Sequence, residues 1–218
     1  ANPVATFWTA SMMLEHLGQP EAAAAIDAAL ERVLAEGKCR TRDLGGTATT
    51  AGVTGLTIGG TVTLGSGTTF TAGSFTHNVA GNWTNNGGTF TNTGSAINFN
   101  GTTQTIGGSA TTTFNNVSTS GSTNTSTGVA TTISGTLSIG DGTTFTAAGY
   151  NLTVTGATTI GTGTSGNLTI SSATGTKIFT GLVTINASGT WNNSGNSAIT
   201  FRGGITKNNT GTTFTAGS

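Results

Sequence analysis

Charge is scarce in this chain. Seven Lys and Arg residues balance seven Asp and Glu residues among 218, and the net charge is zero. Charged residues make up 6 % of the sequence, against roughly 25 % in an average soluble domain. A neutral chain gives no electrostatic reason to bind nucleic acid or an anionic membrane. Cys39 is the single cysteine, which excludes an internal disulfide framework and a cysteine-built metal site. No run approaches the ~18–20 apolar residues needed to cross a bilayer. Residues 1–19 lack the basic start of a secretory leader, and Glu15 and His16 interrupt their apolar stretch. The first residue is not Met and the last eight repeat an internal motif, so both ends are expected to be cut.

The little charge present is unevenly placed. Ten of the fourteen charged residues lie in residues 1–43, and only Asp141, Lys177, Arg202 and Lys207 follow. That step predicts three regions: a helical pair over 1–44, a junction over 45–54 and a repetitive β structure over 55–218. Glycine is abundant at 36 residues, above the usual ~7 %. Disorder usually combines low hydrophobicity with high net charge. Here Thr, Asn, Ser and Gly replace the charges, with Ile, Val, Leu and Phe spaced between them.

In the first region Asn2 and Pro3 suit a helix start, as N-cap and first-turn residue. Val4, Phe7, Trp8, Met12, Leu14 and Leu17 give an apolar face at helical spacing, and Gly18 ends it. Pro20 and Glu21 open a second helix with Ile26, Leu30, Val33 and Leu34 as its stripe. Gly37 stops it and Lys38 suits its C-terminal end. Some 40 residues of this kind bury too little apolar area to fold alone.

Several spaced blocks here are distinctive. They are Ala1-Asn2-Pro3-Val4-Ala5, Phe7-Trp8-Thr9-Ala10-Ser11-Met12-Met13-Leu14-Glu15-His16-Leu17-Gly18, and Asp43-Leu44-Gly45-Gly46-Thr47-Ala48-Thr49-Thr50 with Val53-Thr54. Together they resemble the C-terminal region of the β-decarboxylating dehydrogenases, which act on isocitrate, isopropylmalate and tartrate or D-malate. The tartrate-type branch is nearest. The resemblance implies that Asn2 contacts the adenine side of NAD and that Asp43 lies in the same neighbourhood. It also implies that the family's catalytic Lys and Tyr, substrate-binding Arg cluster and metal-binding Asp residues precede the matched region and are not in this sequence. Without a metal to polarise a β-keto acid and without an acid/base pair, decarboxylation has no mechanism here. The expectation is no enzyme activity, no metal, and NAD only in the company of the missing portion. For Asn2 in this fragment, N-capping alone explains the residue.

After residue 54 alternation replaces helical spacing. Leu56-Thr57-Ile58, Val62-Thr63-Leu64, Leu137-Ser138-Ile139, Leu152-Thr153-Val154, Leu168-Thr169-Ile170 and Val183-Thr184-Ile185 each place apolar residues at i and i+2, the mark of a strand with one buried face. Gly67-Thr68-Thr69-Phe70-Thr71-Ala72-Gly73-Ser74 recurs complete at residues 211–218 and, as far as Ala147, from Gly142. Gly60, Gly81, Gly135, Gly156, Gly181 and Gly204 flank the strands at intervals of 21, 54, 21, 25 and 23. The 54 reads as two units with an insertion. Such a period is a solenoid signature. With short strands and no helix signal, the predicted fold is mainly β: a right-handed parallel β-helix of roughly seven coils, preceded by the two helices. Apolar positions should stack inside and Thr and Asn face outward. Residues 118–127, without a large apolar side chain, read as a loop.

Phe99-Asn100-Gly101-Thr102-Thr103-Gln104-Thr105-Ile106-Gly107-Gly108-Ser109 and Thr113-Phe114-Asn115-Asn116 resemble the Thr/Gly/Asn-rich repeats of bacterial surface and secreted adhesin-like proteins. That resemblance implies a structural or adhesive role at the cell surface or outside the cell. Carbohydrate, another surface ligand or end-to-end self-association are the partners it suggests.

Candidate chemistry is thin. His77 lacks the Ser and orienting acid of a nucleophilic site and reads as a surface histidine. Asp141-Gly142 is a single acidic turn, whereas calcium-binding β-rolls need one in each repeat. The carboxylate pair of a polysaccharide-cleaving enzyme is missing. Thr-x-Thr recurs at Thr61/Thr63, Thr69/Thr71, Thr89/Thr91, Thr144/Thr146, Thr153/Thr155 and Thr213/Thr215. Stacked on one face, such threonines would bind ice. The plainer alternative is that Thr is the outward, β-favouring partner of an inward Phe or Val. The meeting of an enzyme tail with an exported-type repeat suggests a chimeric reading frame. Were the join real, the helices could cap the solenoid.

Overall fold

The structure, a computed structural model, describes residues 3–36, 55–208 and 211–217. Two compact units divide the chain, residues 1–54 and 55–218. Asn2, Gly37, Lys38, Cys39, Asp43 and the junction over 45–54 lie outside the described residues.

The first unit holds α1 (Pro3–His16) and α2 (Pro20–Glu36), each opening on a proline, whose fixed φ suits a first helical turn. Between them Gly18 takes φ +73°, the left-handed geometry of a helix C-terminus. The helices meet where small residues allow it. Ser11 and Ala23 are buried, and the Ser11 hydroxyl donates to the Ala23 carbonyl at 3.2 Å. Phe7, Trp8, Met12, Met13 and Leu17 stay exposed. They occur at spacings that carry them around the helix, so α1 is apolar on several sides.

The second unit is a right-handed parallel β-solenoid. Face 1 has eight strands, from Thr57–Ile58 to Ile205–Lys207, and face 2 has eight, from Val62–Gly65 to Thr213–Thr215. Face 3 has five, from Thr112–Phe114 to Ile199–Phe201, while Thr69–Thr71 pairs with Thr89–Thr91 in a separate two-stranded sheet. All strand pairs are parallel and join successive coils. On face 1, Thr57, Asn78, Asn98, Ser118, Ser138, Thr159, Thr184 and Thr206 stand in register. Coils therefore advance by 20 to 25 residues. Eight strands at about 4.8 Å make a stack about 34 Å long.

Alternation puts Ile, Val, Leu and Phe inside. Ile97, Phe99, Ile133, Leu137, Phe145, Val154, Leu168 and Trp191 are wholly buried. Each such side chain contributes about 1.5–3 kcal/mol. Aromatic residues thicken the core towards both ends of the stack. Trp83 lies 4.7 Å from Phe90 and 5.1 Å from Phe114, and Trp191 lies 5.2 Å from Phe179 and 5.0 Å from Phe201.

Three sequence expectations change. Residues 118–127 are not a loop: strands Asn116–Thr119 and Asn124–Thr127 keep the coil in register. The interior of that coil is built from Thr119, Thr123, Thr125, Thr127 and Thr131, all buried. Thr therefore does not always face outward, because alternation and coil stacking, not polarity, set direction. The 54-residue glycine interval contains no insertion either. Gly60 and Gly81 follow face 1 strands, whereas Gly135, Gly156 and Gly181 precede them, so the interval compares two different corners.

One phrase occupies different faces. Residues 62–79 align with residues 137–154 without a gap, sharing Gly65/Gly140, Gly67/Gly142, Phe70/Phe145 and Ala72/Ala147. Yet the first copy runs through face 2, the two-stranded sheet and face 1. The second runs through faces 1, 2 and 3. Each side of the coil asks for the same pattern, a short alternating strand and a glycine corner, so the phrase is free to rotate by one side.

Candidate functional site

Register turns scattered polar residues into columns. On face 2 one outward column is Thr103, Asn124, Thr144, Asn167, Thr190 and Thr213. Two residues along each strand a second column runs Thr105, Ser126, Thr146, Thr169, Asn192 and Thr215. Between them lies the inward column Gln104, Thr125, Phe145, Leu168, Trp191 and Phe214. The outward face is uncharged along six coils. Among the described residues, Ser126 is the one member of the two columns whose side chain bonds to protein, to the Gln104 carbonyl at 3.4 Å.

Face 1 presents one outward column that runs through all eight strands, and part of it is tied to itself. The Asn98 amide donates to Asn78 Oδ1 at 2.8 Å and to Ser120 Oγ at 3.0 Å, while Ser118 Oγ donates to Asn98 Oδ1 at 3.1 Å. Such amide ladders satisfy donors along the stacking direction.

The threonines singled out in the sequence are distributed over the molecule. Thr63, Thr144, Thr146, Thr213 and Thr215 lie on face 2. Thr69, Thr71, Thr89 and Thr91 form the outward pairs of the two-stranded sheet. Thr153 is on face 3, and Thr61 and Thr155 lie just outside strands. Sequence reasoning missed Thr103, Thr105, Asn124, Ser126, Asn167, Thr169, Thr190 and Asn192. Thr103 and Thr105 are a further Thr-x-Thr pair that the motif could have found; the other three pairs each contain Asn, and only strand register lines them up.

His77 is not a surface residue. It is 3 % exposed, on the inward column beside Ile97. The Leu56 amide donates to its Nδ1 at 3.0 Å, so the proton sits on Nε2, which lies 2.8 Å from the Ala72 carbonyl. Both ring nitrogens are satisfied within the fold, and the ring meets Phe70 edge-on at 5.6 Å.

Asp141 serves a loop. Its Oδ1 accepts from the backbone N–H groups of Thr162, Gly163, Thr164 and Ser165 at 2.8–3.3 Å, and its Oδ2 accepts from the Thr162 hydroxyl at 2.6 Å. The Thr162 hydroxyl, followed by these N–H groups, holds the carboxyl well below the usual carboxylate range. Lys177 is fully buried on the inward side of face 3. Its Nζ donates to the Thr174 and Gly175 carbonyls at 2.7 and 2.9 Å. Burial pulls its pKa below the ordinary lysine value.

Among the described residues, no three His, Cys, Asp or Glu side chains converge to hold a metal ion. No helix among them is long and apolar enough to cross a membrane. Asn2 and Asp43, implied by resemblance as NAD contacts, lie outside the described residues.

These features define a class: a short two-helix segment followed in sequence by a right-handed parallel β-solenoid, the solenoid resembling the repeat folds of adhesin-like proteins. The helical part is similar to a family of its own. Residues 1–58 match the isocitrate/isopropylmalate dehydrogenase family, a match that reaches through the first solenoid strand. A probable tartrate dehydrogenase/decarboxylase of Agrobacterium vitis is 59% identical over 54 residues, covering 25% of this chain and 15% of that protein. An NAD isocitrate dehydrogenase regulatory subunit of Arabidopsis thaliana is 56% identical over 50 residues, covering 23% and 14%. A probable tartrate dehydrogenase/decarboxylase of Bacillus subtilis is 50% identical over 54 residues, covering 25% and 15%. The chain thus spans about 15% of the length of these relatives, as a partial dehydrogenase-like N-terminus fused to a β-solenoid. No solved structure matches the chain.

Proposed function

We infer that the solenoid is a non-catalytic structural or adhesive repeat segment of a bacterial surface or secreted protein. The observation that carries this reading is the pair of uncharged columns on face 2, laid over a buried apolar core. Stacked coils give a rigid, repeating surface, and rigid repeating surfaces suit extended contact. Three ionisable groups of the solenoid are already engaged: His77 and Asp141 by backbone partners and Lys177 by two carbonyls. The dehydrogenase-like residues 1–58, about 15% of the length of their relatives, are read as turning over no substrate by themselves.

Two measurements test this. The immobilised full chain should retain bacterial cells beyond an unrelated β-rich control; retention equal to the control defeats the adhesive reading. Calorimetry with NAD should give no binding heat, and D-malate or tartrate should not be oxidised; a saturable NAD isotherm would restore the dehydrogenase reading.

A further inference from the structure

We propose that face 2 is a water-ordering surface that binds ice. This goes beyond the adhesive reading and does not depend on it.

The spacing comes first. Parallel strands repeat at about 4.8 Å, so hydroxyl or amide groups recur at that interval along both columns. In tetrahedrally bonded water, two O–H···O bonds of about 2.75 Å meeting at the tetrahedral angle put second neighbours about 4.5 Å apart. The mismatch of about 0.3 Å per rung falls within the spread of O–H···O lengths. Across the strand the columns lie two residues, about 6.6 Å, apart, so the groups form a grid and not a line.

The chemistry agrees with the spacing. None of the twelve side chains is charged, and a charged group would gather its own hydration shell. Eight of them are Thr, whose branched Cβ restricts χ1. The grid is therefore largely ordered before contact, and little side-chain entropy is lost on binding. Apart from Ser126, the polar groups of the columns have no protein partner among the described residues, so their hydrogen bonds go to water.

Aromatic placement separates ice from polysaccharide. Sugar rings present apolar faces that pack on exposed aromatic rings. Here Trp83, Phe145 and Trp191 are wholly buried. Tyr150, the one solenoid aromatic that is exposed among the described residues, sits at a corner after strand Thr144–Ala147 and not on face 2. Face 1 supplies an internal comparison, since its Asn98 donors are spent on Asn78 and Ser120.

The test is thermal hysteresis and ice recrystallisation inhibition of the full chain, with two double variants. Thr146→Lys with Thr169→Lys alters face 2, and Ser138→Lys with Thr159→Lys alters face 1. The expected result is activity in the wild type, loss in the face 2 variant and retention in the face 1 variant. No hysteresis and no inhibition in the wild type overturns the proposal, as does equal loss in both variants. Circular dichroism checks folding. If the face 2 lysine variant does not fold, Thr146→Tyr with Thr169→Tyr replaces it, because Tyr favours strands yet breaks the flat grid.

Discussion

Thr123 and Thr125 sit two residues apart inside one coil, and their hydroxyls meet opposite fates. Thr123 Oγ1 donates among the carbonyls of Phe99, Gly101 and Ser120. Thr125 Oγ1 is buried with no partner. An unpaired buried hydroxyl costs free energy that a methyl group of the same shape does not. Thr125→Val should therefore stabilise the protein by about 1 kcal/mol, and Thr123→Val should destabilise it by about 1–3 kcal/mol, read from denaturant midpoints. Lys177 makes a pH-dependent case. Burial lowers its pKa in the fold. Between that lowered value and the ordinary lysine value the folded chain holds fewer protons than the unfolded chain, so stability rises with pH across that window. Lys177→Met should remove the rising slope that ends at about pH 10. Identical slopes in the two proteins would show that Lys177 is not its source.

At the scale of the strand and its corner, stacking tolerates no added atom at certain glycines. A Cβ on Gly156 would overlap the Gly135 backbone, and one on Gly181 would overlap Gly156. These glycines stack at the corner before the face 1 strands Leu137–Ile139, Thr158–Ile160 and Val183–Ile185. The Gly156 amide also donates to the Gly135 carbonyl at 2.8 Å. Gly156→Ala must push two coils apart there, a cost of about 1–3 kcal/mol. A Tm within error of wild type would mean that the corner opens freely. By contrast Gly59 has open space beside it, and Gly59→Ala should be close to neutral.

At the scale of the whole solenoid, burial and parallel ladders hold the fold, and its four charged residues all lie between Asp141 and Lys207. Lys177 bonds to carbonyls and Asp141 to backbone N–H groups, so neither relies on an opposite charge. Stability of the solenoid should then change little from about 0.01 M to about 1 M sodium chloride, a range over which screening removes long-range charge interactions. A large loss of stability on adding salt would reveal ion pairing. The face 2 columns belong to this scale as well, since no single coil contains a grid.

The sequence by itself determined the β-solenoid, the two helices before it and the dehydrogenase-like character of the first quarter. Alternation at i and i+2 records which side chain goes inside. Proline and glycine mark helix ends, and the loss of charge after Asp43 marks the change of physics. Only the tertiary structure decided the faces. The phrase shared by residues 62–79 and 137–154 fits any side of the coil, so its sequence cannot say which side it takes. The same freedom hid the grid: Thr144 stands between Asn124 and Asn167 because neighbouring strands pair there, and pairing between distant segments is not written in either one. His77, Lys177 and the buried threonines follow the same rule. Each is polar by composition and interior by position, and position is fixed by the coil above and the coil below.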